Sequence, residues 1–308
     1  MNSPSSIRFR AVRVLTFVLA SALAGFASVS GTFDRSFQVN GAVDLEVLTR
    51  SGDITIRSGS AGTVSIHGKI HTGNSWFERG HEGEVQELEK NPPLRQTGNS
   101  IRVDYVNLRN VSVDYEITVP ENTTVRTHSG SGDQSVEGIK GNVDLEAGSG
   151  DMQLSRLTGE LRFQTGSGNV RGRELSGPTR IKAGSGDIEI EEVGAGDVDI
   201  RTGSGNITAS GVNGGFSAEA GSGDIRGNGT PKSLWNIRTG SGNVDLRVPS
   251  ESGFNVDISS NSGTVVVDHP VTTTVQGRVQ ERKSVVGKVG NGGPTISVHT
   301  GSGDIRLN

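Results

Sequence analysis

The chain has 308 residues, of which 46 are glycine, 31% are hydrophobic and only 4% are aromatic. That is too little bulky apolar material for a thick globular core, and it suits a thin structure filled by short rows of Ile, Val and Leu. A net charge of −4 without a basic stripe excludes non-specific nucleic-acid binding, and the absence of cysteine excludes disulfides, thiolate metal sites, a Cys nucleophile and a lipid-modified cysteine.

The first thirty residues read as a signal peptide. Arg8, Arg10 and Arg13 form a positive start, and Val14 to Val29 carries no charge and is apolar or small throughout. Ala22-Leu23-Ala24 and Ser28-Val29-Ser30 both fit a small-x-small cleavage site. With no second apolar segment, the mature chain is expected to be soluble after export, with no membrane span.

Residues 31–125 read as an N-terminal β region. Val43-Asp44-Leu45-Glu46-Val47 and Asp53-Ile54-Thr55-Ile56 alternate apolar and polar residues, the pattern of half-buried strands. An insert near residues 77–93 is charged and reads as a short surface helix or loop ended by Pro92-Pro93. Val111 to Pro120 is a clean alternating strand leading into the repeats.

Residues 126–263 are dominated by an internal repeat. Gly-Ser-Gly-Asp/Asn ends at Asp133, Asp151, Asn169, Asp187, Asn206, Asp224 and Asn243, at intervals of 18 or 19, and again at Asp304. Asn261-Ser262-Gly263-Thr264 is a degraded copy, and Ser51-Gly52-Asp53 an isolated earlier one. Each unit reads as two short strands, as in Ile188 and Ile190 followed by Val198 and Ile200. The paired glycines allow the positive φ of a tight corner. One unit cannot bury its own apolar face, but stacked copies can, one rung per ~4.8 Å. The expected fold is therefore all-β, a parallel β-solenoid (β-helix) of about 18-residue coils with atypical capping segments. Residues 264–308 read as an irregular loop followed by a closing rung.

From Asp151 to Asn243 the corner alternates Asp and Asn, with Ala147, Ala183 and Ala220 before the Asp corners and Thr165, Thr202 and Thr239 before the Asn corners. Coils of 18–19 residues would stack Asp on Asn and avoid like charges on adjacent rungs. Coils of about 37 residues would stack Asn on Asn. The first reading is favoured.

No catalytic, cofactor-binding or metal-ligating constellation emerges, so no cofactor is expected. The Asp and Asn corners are better explained by bonds to adjacent backbone than by calcium. The acidic run Asp187, Glu189, Glu191, Glu192, Asp197 and Asp199 reads as a solvated outward face, not a glycosidase pair. His67, His71, His81, His128, His269 and His299 are scattered, and His67 with His71 make only two ligands of a zinc site. His128-Ser129 lacks a nucleophile elbow. The Gly-Ser-Gly loops lack the Lys and the following helix of a phosphate cradle. Sequons at Asn110, Asn122, Asn206 and Asn228 occur at chance frequency for this composition.

The strand ending Val119-Pro120-Glu121-Asn122-Thr123-Thr124-Val125, the serial Thr-Gly-Ser-Gly-Asp/Asn corners, and the terminal Gly292 to Ile305 together resemble the bacterial putative-adhesin family of unknown function. The resemblance covers roughly residues 35–308. It implies a β-solenoid and extracytoplasmic placement (secreted, periplasmic or cell-surface), and it carries over no site residues. The expected function is a non-enzymatic, adhesin-like or envelope-associated binding scaffold whose partner is an envelope or extracellular polymer or another surface protein. The alternatives are a carbohydrate-active enzyme on a β-helix and a self-associating structural protein.

The sequence predicts a mature N-terminus between residues 25 and 32. N-terminal sequencing of protein from the extracytoplasmic fraction checks it; an intact Met1 on cytoplasmic protein would contradict it.

Overall fold

The computed structural model describes residues 29–73, 82–249, 251–272 and 283–308. The expected signal peptide up to residue 28, the part of the charged insert at 74–81 (with Trp76 and His81) and residues 273–282 lie outside them.

Period-2 alternation becomes strand throughout. In Val43–Ser51 the Val, Leu and Val side chains at 43, 45 and 47 are buried while Asp44, Glu46 and Leu48 face outward, partly exposed. The strands pair along two long ladders. On the first, Val43–Ser51, Thr123–Ser131, Val143–Ser149, Leu161–Ser167, Thr179–Ser185 and Val198–Ser204 lie side by side in parallel. The ladder continues through the second halves of Ile207–Ser222 and Ile225–Ser241. On the second ladder, Ile54–Gly59, Gln134–Glu137, Met152–Thr158, Val170–Ser176, Ile188–Glu192 and the start of Ile207–Ser222 do the same. On the first ladder the paired residues of the regular repeats are 18 or 19 apart, as in Leu145 with Phe163 and Ile181 with Ile200.

The sheet is mixed, which corrects the expectation of parallel pairing throughout. At the first end Thr63–Thr72 runs antiparallel to both Val29–Gln38 and Val111–Pro120. At the other end Ser284–Val289 runs antiparallel to Phe254–Ser262 and to Val271–Thr272. Antiparallel strands close both ends because single chain reversals reach them without another full coil.

Chain order and spatial order also part company. The isolated copy at Asp53 sits directly beside the Asp133 rung, so the intervening residues form end structure and not missing coils. The expected closing rung is second to last: Thr295–Ser302 and Ile305–Leu307 insert between the rung of Trp235 and Val244 and the degraded copy at Val256 and Val265. The charged insert contains one helix, Glu82–Lys90, whose buried Val85 and Leu88 face the sheet and whose last turn receives Arg35 Nη2 at Glu89 O, 3.0 Å, and Lys90 O, 2.6 Å.

The corners hold the rungs together. Each Asp or Asn side chain accepts the backbone N–H of the corner residue on the next rung. Asp151 N donates to Asp133 Oδ1 at 2.8 Å, Asn169 N to Asp151 Oδ1 at 2.8 Å and Asp187 N to Asn169 Oδ1 at 3.0 Å. Asn206 N donates to Asp187 Oδ1 at 2.8 Å and Asp224 N to Asn206 Oδ1 at 3.0 Å. Asp187 thus stands one rung from both Asn169 and Asn206. The column runs unbroken from Asp114 to Thr264, through Asp53 at one end and Asp304 at the other. Each such bond is worth about 0.5–1.5 kcal/mol net. The alternation has a second benefit, because the Asn amides at 169 and 206 also donate to the preceding Asp carboxylate at 3.2 Å. The Thr hydroxyls at 165, 202 and 239 reach back to the glycine carbonyl of the preceding corner at 3.1–3.4 Å.

Inside, rows of Val, Leu and Ile stack rung on rung, each fully buried side chain contributing roughly 1.5–3 kcal/mol. The largest is Trp235, fully buried with its indole N–H on Gly214 O at 3.1 Å and Phe216 edge-on at 5.5 Å.

Gly186 has φ +133°, and a Cβ there would lie 2.0 Å from Gly168 O. Gly186→Val should therefore cost about 1–3 kcal/mol or more in denaturant unfolding. Asp187→Asn keeps the acceptor for Asn206 N and should stay within about 0.5 kcal/mol of the parent. A large loss from Asp187→Asn that calcium restores would contradict this reading of the corners.

Candidate functional site

At the start of the first-ladder strands the outward residues line up across coils. Register places Arg162 beside Arg180, Arg180 beside Asp199 and Asp199 beside Ser217. The turn residues Glu160, Pro178, Asp197 and Gly215 precede them. Between these two rows runs a groove of about 420 Å³, crossing five coils from Glu160 to Leu234. Five rungs span about 19 Å along the axis. One lip is Leu234, 54% exposed and one of the few large apolar side chains on the described surface.

The charges in the groove are already engaged. Arg162 pairs with Glu160 at 2.5 Å, and Arg180 lies 3.5 Å from Asp199. Asp197 Oδ1 accepts Gly215 N at 2.7 Å and the Ser233 hydroxyl at 3.4 Å. Asp199 is also flanked by Arg201 at 3.4 Å, yet its Oδ1 is screened from water and has no aligned hydrogen-bond donor. Exposed pairs of this kind contribute about 0–1 kcal/mol each, so a hydrogen-bonding ligand exchanges with them at little cost. The groove offers alternating charge, two guanidinium forks and an apolar lip to a long, polar chain. A second opening, about 500 Å³, lies at the first end of the ladder among Leu48, Pro92 to Arg95 and Arg102 to Asn107. Tyr105 borders it, with the His128 ring edge-on at 6.5 Å.

The histidines lie apart. His67 meets Asp34 at 2.8 Å, His71 meets Asp114 at 2.8 Å and His128 meets Glu146 at 3.0 Å. His299 shares a hydrogen bond with Ser259, and His269 is buried against Phe254. Among the described residues no group of three or more His, Cys, Asp or Glu is placed to hold a metal ion. Ser129, beside His128 in sequence, is buried and donates to Ser131 O, so its hydroxyl points away from that ring's face. Asp144 is held above the usual carboxylate range by partial burial and by the neighbouring Glu146.

The acidic run splits into four environments. Asp187 is a corner residue, Glu189 and Glu191 are exposed on the second ladder, and Asp197 and Asp199 line the groove. Glu192 departs from the expected solvated face: it is buried, at 5% exposure. The signal was in the sequence, because alternation that puts Ile188 and Ile190 inside puts residue 192 inside as well. The groove was not legible there, since Arg162, Pro178 and Leu234 meet only through the register of different coils.

No curated protein matches the chain. A solved structure described as a putative cell adhesion protein, from Clostridium sporogenes, is 11% identical and aligns over 90% of this chain and 98% of its own, with a TM-score of 0.20. One described as a putative adhesin, from Bacteroides fragilis, is 13% identical over 90% and 97%, with a TM-score of 0.36. Another putative adhesin, from Parabacteroides distasonis, is 11% identical over 90% and 97%, with a TM-score of 0.28. At such scores the likenesses carry no argument about function. The family model is the firmer finding: residues 42–308 match it, and the chain belongs to the Toastrack DUF4097 family.

Proposed function

We propose that the chain is an exported, non-enzymatic β-solenoid of about 18-residue coils that binds an extended envelope or extracellular polymer along its ribbed face, in the manner of an adhesin. The observation that carries the reading is the groove that crosses five coils, because a site built from one position on each successive rung fits a ligand that itself extends along the axis. Weak contacts on neighbouring rungs then add through effective concentration. Export rests on the Arg-rich, apolar start of the sequence, and the serial Gly-Ser-Gly corners are the part of the adhesin resemblance that supplies the ribs.

The carbohydrate-active enzyme is the weaker alternative. A glycosidase needs two carboxylates in unequal environments across an open bond site. Here the groove carboxylates are tied to Arg162, Gly215 N–H, Ser233 and Arg180.

Purified chain screened against envelope fractions and extracellular polysaccharides should show weak binding and no turnover, with or without calcium or zinc. Arg180→Glu and Leu234→Asp should each weaken binding by a few-fold, and the pair by more. Deleting the two coils between Asp151 and Asp187 should lower avidity gradually. Turnover that vanishes on substitution of one carboxylate or histidine would refute the reading and promote the enzyme.

A further inference from the structure

Glu192 occupies a place built for an apolar side chain. On the preceding rungs the same interior position is filled by Leu157 and Leu175, in register with one another and with Glu192. All three are buried, and so is Val212 in the strand that follows. Glu192 is the single buried carboxylate among the described residues, and its Oε1 has no hydrogen-bond partner. An ionised carboxylate in such a position costs several kcal/mol unless it is paired, and pairing is absent here.

The charged and titratable groups on the elements around it all face water. Glu189 and Glu191 on its own strand, Arg171, Arg173 and Glu174 on the strand before, Arg180 and Lys182 on the first ladder, and Asp197 and Glu219 beyond are exposed. A polar neighbour is the Thr179 hydroxyl, which favours the charged form when it donates to the carboxylate. The hydrogen of that hydroxyl is directed to Gly177 O at 3.2 Å. A Thr179 hydroxyl engaged with Gly177 O is not free to stabilise an ionised Glu192 at the same time.

The chain around Glu192 is also where the second ladder breaks. Pairing with the following strand stops at Glu191 with Ser210, and pairing with the preceding strand is irregular between Gly172 and Leu175, the partner of Glu192. The next residues form an irregular turn in which Val193 is 61% exposed, stitched by Val193 N to Leu175 O at 2.8 Å and by a long bond from Gly196 N to Asn213 O at 3.4 Å.

We infer that the coil Ile188–Asp197 carries a protonation switch, closed while Glu192 is a neutral member of the interior column and opened at the Val193–Asp197 turn when Glu192 ionises and moves to water. The inference does not depend on what the groove binds, although the turn leads directly into Asp197 and Asp199 in the groove wall. Burial pushes the Glu192 pKa up to about 7, against the opposing pull of Thr179 when its hydroxyl turns to the carboxylate. The sign follows from that direction. Between the ordinary value of 4.5 and about 7 the closed coil holds a proton that the open coil releases. Closure is therefore complete at acidic pH and is lost as pH rises through 7.

Hydrogen exchange on the full chain at pH 5.5 and 8, corrected for chemical exchange rates, tests this. In the parent, protection of amides 188–200 should fall about tenfold or more at the higher pH, while that of 143–170 holds. Glu192→Gln and Glu192→Leu should each abolish the local pH response, and the exposed Glu189→Gln should behave like the parent. A parent without the local loss, or a Glu192→Leu chain that keeps it, would overturn the switch.

Discussion

The corner between the two ladders is the constraint on which the rest of the structure depends. Successive rungs come so close there that the backbone of one lies against the next: a Cβ at Gly186 would sit 2.0 Å from Gly168 O, and one at Gly205 would sit 2.1 Å from Gly186 O. Glycine with positive φ lets the chain turn and approach at once. The Asp or Asn that follows supplies the directional part, an acceptor for the next rung's N–H. Together they fix register from coil to coil. A slip of one residue would turn every interior side chain outward, so register in turn fixes the core.

Because register is fixed at the corner, the outward positions are free to differ. Arg162, Arg180, Asp199 and Ser217 occupy one row, and Gln164, Lys182, Arg201 and Glu219 another. The interior rows stay apolar from rung to rung while the outward rows vary, the division expected of a solenoid. Glu192 crosses that division. It places a titratable group where its neighbours place Leu, next to the irregular turn at 193–197.

The all-β class was legible in the sequence because alternation and corner chemistry are local properties. Val43 to Val47 announces a strand without reference to anything else. Pairing is not local. Nothing near Ser51-Gly52-Asp53 says that its neighbour is Asp133, 80 residues on, and nothing near Asp304 says that it lies between Asn243 and Thr264. The antiparallel ends were missed for the same reason: Thr63–Thr72 alternates like any other strand, and its direction is decided by the turns on either side. Glu192 was misread through charge, where counting by twos along the strand places it inside.

The register of the coils stands or falls on the corner bonds. Through-hydrogen-bond couplings between side-chain carbonyl carbons and backbone amide nitrogens report them directly. The corner column predicts couplings from Asn169 Cγ to Asp187 N and from Asp187 Cγ to Asn206 N, one rung apart in each case. A coupling from Asn169 to Asn206, or none at either corner while the sheet remains folded, would contradict it.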